Sequence, residues 1–392
     1  MVVTFPHMGN IYLAVKALFD DLDIDYIIPP PNTKASLQKG SFYSPEEICL
    51  PFKLFMGNII QAIESGADTV LITGSCGPCR FGEYSELASI VLREMGHDLD
   101  FIVLDLSKDV GVDGFLRRIS KTTRDVPMSR TQKVRTVLNA AALMAKIDQL
   151  EARAHILAGY EKNAGDCKRI LHQALARGLE CVGSEEIGEA ISAAQNEIER
   201  IPIDLEKDPL RVAIIGEIYT VIEPFSNLYI EDLFMDYGVC VKRHMTPSWW
   251  LRDLVMKPLK LNSLDLRRSS REYLPLYIGG HGRECVGEAV KAWQEGMDGA
   301  IQILPMGCMP EIVAKAILPQ IQNDKDFPIL TLIVDEMTGR EGYITRIEAF
   351  LDMLKKRRER YRGGSFSTGI LSGINSKRHG YNRSVRKKYG EM

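Results

Sequence analysis

Short apolar runs alternate with helix-patterned segments at both ends of this chain, and no other feature limits its architecture more. Val2–Phe5 reads as a strand, Ile11–Leu22 as a helix and Asp25–Ile28 as a strand. Pro29-Pro30-Pro31 stops that strand and opens a long loop. Pro51–Glu64 has the pattern of an amphipathic helix, with Pro51 suited to its first turn. Thr69–Thr73 is a short buried strand between Gly66 and Gly74, Glu83–Met95 a helix and Phe101–Leu104 a strand. Such alternation calls for a parallel sheet.

The middle differs. Thr131–Ala158 predicts a long helix, with Val134, Val137, Leu138 and Ala141 at helical spacing and Gly159 ending it. Asn163–Arg177 and Glu185–Glu199 read as two more helices, and Ile201–Pro209 as a linker. Alternation then resumes. Strands are expected at Arg211–Ile215, Val239–Val241, Ala300–Leu304 and Pro328–Val334. Helices are expected at Pro224–Phe234, Gly282–Glu295, Pro310–Gln322 and Gly342–Arg360. The expected fold class is α/β, two Rossmann-like lobes with parallel sheets facing across a cleft and a helical middle segment. The divisions fall at 1–125, 126–207, 208–354 and a basic tail at 355–392.

Composition narrows the class. At 392 residues and 45% hydrophobic, the chain can build sizeable cores, which excludes disorder for its bulk. No apolar run approaches the roughly 18–20 residues of a membrane span. The N-terminus meets no basic residue before Lys16, unlike a secretory signal. The net charge of −3 is a cancellation: Lys355–Met392 carries 12 Lys/Arg against Glu359 and Glu391, so the tail is +10 and the rest −13. Such a tail reads as a solvated terminus after the last helix, or as a dock for an acidic partner, a membrane surface or nucleic acid. Nucleic acid is not the expected partner.

Eight cysteines are too sparse for a disulfide scaffold in a chain this long. In a reducing cytoplasm, the expected location, they are buried thiols, metal ligands or redox groups. The two α/β regions echo each other here. Gly66-Ala67-Asp68 precedes one strand and Gly296-Met297-Asp298 another. Those strands run into Gly74-Ser75-Cys76-Gly77-Pro78-Cys79 and Pro305-Met306-Gly307-Cys308-Met309-Pro310. Each is preceded by a helix with a cysteine near its start, Cys49 and Cys285, and Asp105 and Asp335 follow the next strands. The echo reads as a pseudo-repeat, by duplication or by convergent βαβ punctuation. Open α/β sheets bind ligands beyond the carboxyl ends of their strands, where Cys76, Cys79 and Cys308 fall.

Cys76 and Cys79 lie between a strand and a helix, and helix starts favour thiolate. Gly279-Gly280-His281-Gly282 ahead of Cys285 suggests close backbone approach. Cys49, Cys76, Cys79, Cys285 and Cys308 are therefore the candidate ligands. Cys167 is a tentative sixth, although it shares an apolar face with Ile170, Leu171, Ala174 and Leu175. Cys181 in a loop and Cys240 in a strand read as structural. Structural zinc usually takes two short-spaced pairs, and only one is present. Soft thiolates from scattered loops suit an iron–sulfur cluster better. Two alternatives stay open. One is a thioredoxin-like dithiol using Cys76 and Cys79, although Ser75 stands where that family has an aromatic residue. The other is a metal-free regulatory or scaffold partner.

Several motifs in order resemble the 2-hydroxyacyl-CoA dehydratase component superfamily, in its branch of acyl-CoA dehydratase activase-related and double-cubane cluster proteins. They are Val3-Thr4-Phe5-Pro6-His7-Met8-Gly9-Asn10, Cys49-Leu50-Pro51-Phe52-Lys53, Ser75-Cys76-Gly77-Pro78-Cys79-Arg80-Phe81-Gly82, Gly216-Glu217-Ile218-Tyr219, Cys308-Met309-Pro310-Glu311 and Asp335-Glu336-Met337-Thr338-Gly339. The likeness runs to about Arg360. It implies an oxygen-sensitive four-iron four-sulfur or double-cubane protein of anaerobic metabolism. Its low-potential electrons would come from a separate ATP-hydrolysing iron–sulfur activase. It implies a small-molecule or acyl-CoA substrate, a ketyl radical in the dehydratase branch, and a homo- or heterodimer. Six thiolates would suit the double cube. The chain has no GxxxxGK[ST] loop and no Asp-Gly-Thr-type phosphate loop, so it reads as the electron acceptor and not the ATPase. Glu217, Glu223 and His281 are the candidate catalytic residues, Arg80 could offset cluster charge, and Lys53 reads as a helix-surface residue.

Overall fold

The computed structural model describes residues 1–74, 79–104, 123, 126–256 and 261–363. Its eight strands form two parallel four-stranded sheets with the same internal order. The first holds β1 (Val3–Thr4), β2 (Tyr26–Ile27), β3 (Thr69–Thr73) and β4 (Asp100–Leu104) in the order β2-β1-β3-β4. The second holds β5 (Arg211–Gly216), β6 (Cys240–Arg243), β7 (Gly299–Pro305) and β8 (Ile329–Val334) in the order β6-β5-β7-β8. The chain crosses from one side of each sheet to the other after its second strand. The switch points therefore lie between β1 and β3 and between β5 and β7, where such sheets open a crevice for ligands.

Helices cover both faces of each sheet. In the first lobe the helix Leu50–Glu64 buries Phe52, Phe55, Met56 and Ile59 against Val70 and Ile72 of β3. Phe19 and Leu22 of the helix Ile11–Leu22 close the other face with Val3 and Phe5. In the second lobe β5 and β7 are buried along their whole lengths, as central parallel strands must be. The lobes are not separate bodies: Leu37, Leu50 and Leu54 of the first share one apolar cluster with Tyr219, Val221 and Val334 of the second.

The middle segment is a packed helical block of Arg130–Leu157, Asp166–Glu180 and Gly183–Ile198. Its core takes in Leu13 and Ala17 of the first lobe and Met235 of the second. The stripe of Val134, Val137, Leu138 and Ala141 does not form this core. Val134, Val137 and Leu138 are exposed, and the buried face runs instead through Thr136, Ala140 and Leu143. Helical spacing finds an apolar face but not a partner for it.

Other expectations are corrected locally. The loop after Pro31 contains the helix Lys34–Phe42, started by a Thr33–Ser36 capping box. The helix expected at Pro224–Phe234 starts later, at Ile230–Asp236, and a further short helix, Ile218–Ile222, precedes it. Two further helices, Pro247–Met256 and Leu264–Ser270, follow β6. The last helix is Arg340–Gly363, so a tail boundary at 355 falls inside it. Arg358 binds Asp298 and the Asp208 carbonyl, which ties this end of the helix to the second lobe. Among the described residues no helix is long and apolar enough to cross a membrane.

Candidate functional site

Three cysteines stand at the N-terminal caps of helices. Cys49 caps Leu50–Glu64 and Cys308 caps Met309–Lys325, each with proline at the second helical position. Cys79 caps the 3-10 turn Arg80–Glu83. Cap positions place a side chain beside unpaired backbone N–H groups and the positive end of the helix dipole. Cys79 follows β3 and Cys308 follows β7, so both lie at switch points, and Cys49 comes to them from the helix before β3.

Glu217 lies near all three. The charge of Glu217 bears on the thiols of Cys49, Cys79 and Cys308, Cys49 bears on Cys79, and Cys79 bears on Cys308. Glu217 follows Gly216, the last residue of β5. Gly216 has φ +135°, and a Cβ there would lie 1.9 Å from the Ile303 carbonyl oxygen, so only glycine lets β5 end against β7. Glu217 then caps the next helix. It accepts from the Tyr219 amide at 3.1 Å, the Thr220 amide at 2.8 Å and the Thr220 hydroxyl at 2.7 Å.

Burial pushes all three thiols above their ordinary range, and the negative charge of Glu217 adds to this. Opposing hydrogen bonds come from Tyr84 at Cys49, from the Phe81 amide at Cys79 and from the Glu311 amide at Cys308. Tyr84, which the sequence reading missed, places its hydroxyl 2.7 Å from Cys49 Sγ. Burial and the charge of Cys49 hold its phenol far above the ordinary tyrosine range.

The walls are close-set. Gly280, at φ +50°, has no room for a side chain: a Cβ would lie 2.8 Å from Pro310 Cγ and 3.8 Å from Cys79 Cβ. The glycine run before Cys285 thus admits Cys79 and Pro310. Arg80 crosses between lobes, donating to the carbonyls of Glu47 at 3.0 Å and Gly307 at 2.6 Å. Lys53 is not a helix-surface residue. It is buried, with Nζ 2.5 Å from Glu336 Oε1 and 3.0 Å from the Glu46 carbonyl.

Cys76 lies outside the described residues. Cys285 is fully buried, and the groups that bear on its thiol include Glu311, Glu288 and Gln302. Glu311 touches both candidate cysteines of this lobe, its amide bonding Cys308 and its carboxyl bonding Cys285. Burial raises the Glu311 carboxyl to about 7. Cys167 is in the core of the helical block, its amide bonded to Glu161, and the structure does not bring it to the other thiols. Cys240 is core, with Sγ 3.2 Å from the Ile156 carbonyl, and Cys181 ends the helix Asp166–Glu180.

Glu223 is a strut and not an open acid. It is buried, accepting from the Gly9 amide at 2.7 Å and lying 3.2 Å from His7 Nδ1. His281 caps the helix Gly282–Gln294 and meets Trp249 edge-on, with ring centroids 5.9 Å apart.

Several soft donors and a carboxylate gather where the nearby cation bearing on Cys49 and Cys79 is Arg80. Deprotonating those thiols together is costly unless metal charge compensates. Among the described residues no three His, Cys, Asp or Glu side chains could hold a single metal ion. The donor types suit a polynuclear sulfur cluster. Compared with known protein families and with curated proteins, the chain matches no family model and no curated sequence.

Proposed function

We propose that this chain is an iron–sulfur protein of electron transfer or reductive catalysis, with Cys49, Cys79 and Cys308 as ligands and Cys76, by its place in the Cys76-Gly77-Pro78-Cys79 motif, as a fourth. The observation that carries this is the Arg80 side chain, which follows Cys79 and joins the Glu47 and Gly307 carbonyls, bringing together the neighbourhoods of three helix-cap cysteines from both lobes, Cys49, Cys79 and Cys308. When bound, the cluster supplies one-electron chemistry at low potential. The chain's own residues hold and shield it. Arg80 offsets negative charge at Cys49 and Cys79, the three caps aim backbone N–H groups towards sulfur, and the Arg80 and Lys53 bridges keep the lobes closed around it.

The resemblance to 2-hydroxyacyl-CoA dehydratase components and double-cubane proteins extends this reading to an ATP-hydrolysing activase as electron source and an acyl-CoA or other small molecule as substrate. A dithiol mechanism needs only Cys76 and Cys79 and gives Cys49 and Cys308 no part.

The test is anaerobic purification with iron and sulfide analysis and electron paramagnetic resonance. Brown protein with roughly four irons per chain would fit a single cube, and roughly eight a double cube. Colourless, iron-free protein from competent anaerobic expression would overturn the proposal. A dithiol activity that survives Cys308→Ser would point to the alternative.

A further inference from the structure

Tyr84 opens the helix Tyr84–Glu94 and is 3% exposed. Its ring sits in an aromatic cage, edge-on to Phe52 and Phe81 with centroids 5.0 Å away in each case, and stacked on Phe55 at 6.1 Å. A phenylalanine would fill such a cage equally well. A buried hydroxyl is costly in apolar surroundings unless it is bonded, and here it reaches Cys49 Sγ at 2.7 Å. A thiolate can only accept, so with Cys49 ionised the tyrosine O–H is the donor.

We infer that Tyr84 is a positioning residue that sets the reduction potential of the proposed centre, through its hydrogen bond to the Cys49 sulfur. The inference rests on the iron–sulfur reading. Donation draws electron density from the sulfur and favours the more negative, reduced state, which raises the potential. The hydroxyl is held in place before any metal arrives, because Phe52, Phe55 and Phe81 pack around the ring. Cys79 and Cys308 receive backbone amides instead, so of these three thiols Cys49 is the one whose sulfur is hydrogen-bonded by another residue's side chain.

The experiment compares midpoint potentials of anaerobically prepared wild type and Tyr84→Phe, followed by electron paramagnetic resonance at matched iron content. The expected result is a shift to more negative potential in Tyr84→Phe. Replacement of Tyr84 by 3-fluorotyrosine, a stronger donor that keeps the ring and its packing, should shift it the other way and covers the case in which Tyr84→Phe folds poorly. Unchanged potentials in an iron-loaded protein would overturn the role of Tyr84 alone. Absence of iron from the wild type would overturn the reading beneath it.

Discussion

Arg80 donates to the carbonyl oxygen of Gly307 at 2.6 Å, joining the neighbour of Cys79 in one lobe to the neighbour of Cys308 in the other. The spacing of these two candidate ligands therefore depends on one guanidinium. The same side chain reaches Glu47, two residues from Cys49.

Arg80→Ala should loosen the site without unfolding the protein. Arg80 is exposed, so the loss of global stability should be about 1 kcal/mol or less. Alkylation of Cys79 and Cys308 in iron-free protein should quicken several-fold. Arg80→Lys should give an intermediate rate, because a single ammonium lacks the fork that reaches both carbonyls. Unchanged alkylation rates in Arg80→Ala would show that the bridge does not hold the lobes.

The Lys53–Glu336 pair should respond asymmetrically. Lys53 is 3% exposed at its side chain and Glu336 34%. Glu336→Gln leaves a buried ammonium with neutral acceptors and no counter-charge and should cost about 2–3 kcal/mol. Lys53→Met leaves Glu336 to water and should cost about 1 kcal/mol or less. Denaturant titration reads both, and equal losses would contradict this account.

Substitution of the cysteines should divide them. Serine at Cys49, Cys79 or Cys308 should lower iron content, whereas Cys285→Ala should retain it, since that thiol is occupied by Glu311 and Gln302. Iron loss in Cys285→Ala equal to that in Cys308→Ser would make Cys285 a ligand after all.

Stability should fall on acidification through a window set by His155. Burial, helped by Arg243, lowers its folded pKa to about 4 from an ordinary value near 6.5. The unfolded chain therefore binds the proton more readily between these values. The contribution of His155 is complete above pH 6.5, declines as pH falls to about 4 and is exhausted below that. Its ceiling is a few kcal/mol. His155→Gln should flatten this part of the stability profile measured by denaturation.

Charges on the exposed stripe should be tolerated. Val134→Lys and Leu138→Lys should each change stability by no more than roughly 0.5 kcal/mol, because both side chains are exposed. A cooperative loss of several kcal/mol would mean that this face is covered.

Periodicity made both sheets legible. The strand at Thr69–Thr73 and the helix starting at Gly282 needed only short apolar runs and glycine punctuation, which are local signals. Pairing the cysteines across the lobes by position was also possible, since Cys79 and Cys308 follow equivalent strands. The amphipathic stripe on Arg130–Leu157 misled because spacing reports where a face is apolar, not whether another element reaches it. Lys53 misled for a related reason: its partner, Glu336, belongs to the other lobe.

Sequence alone determined the α/β class, the helical middle, and the cysteines at helix starts, because strand alternation, helical periodicity and capping act within a few residues of themselves. Only the tertiary structure decided which thiols share a site. It brought Cys49, Cys79 and Cys308 to Glu217, set Cys285 against Glu311, kept Cys167 in the helical core and placed the Tyr84 hydroxyl on Cys49. Those outcomes depend on how two sheets and a helical block pack together, which is a property of long-range burial and not of spacing along the chain.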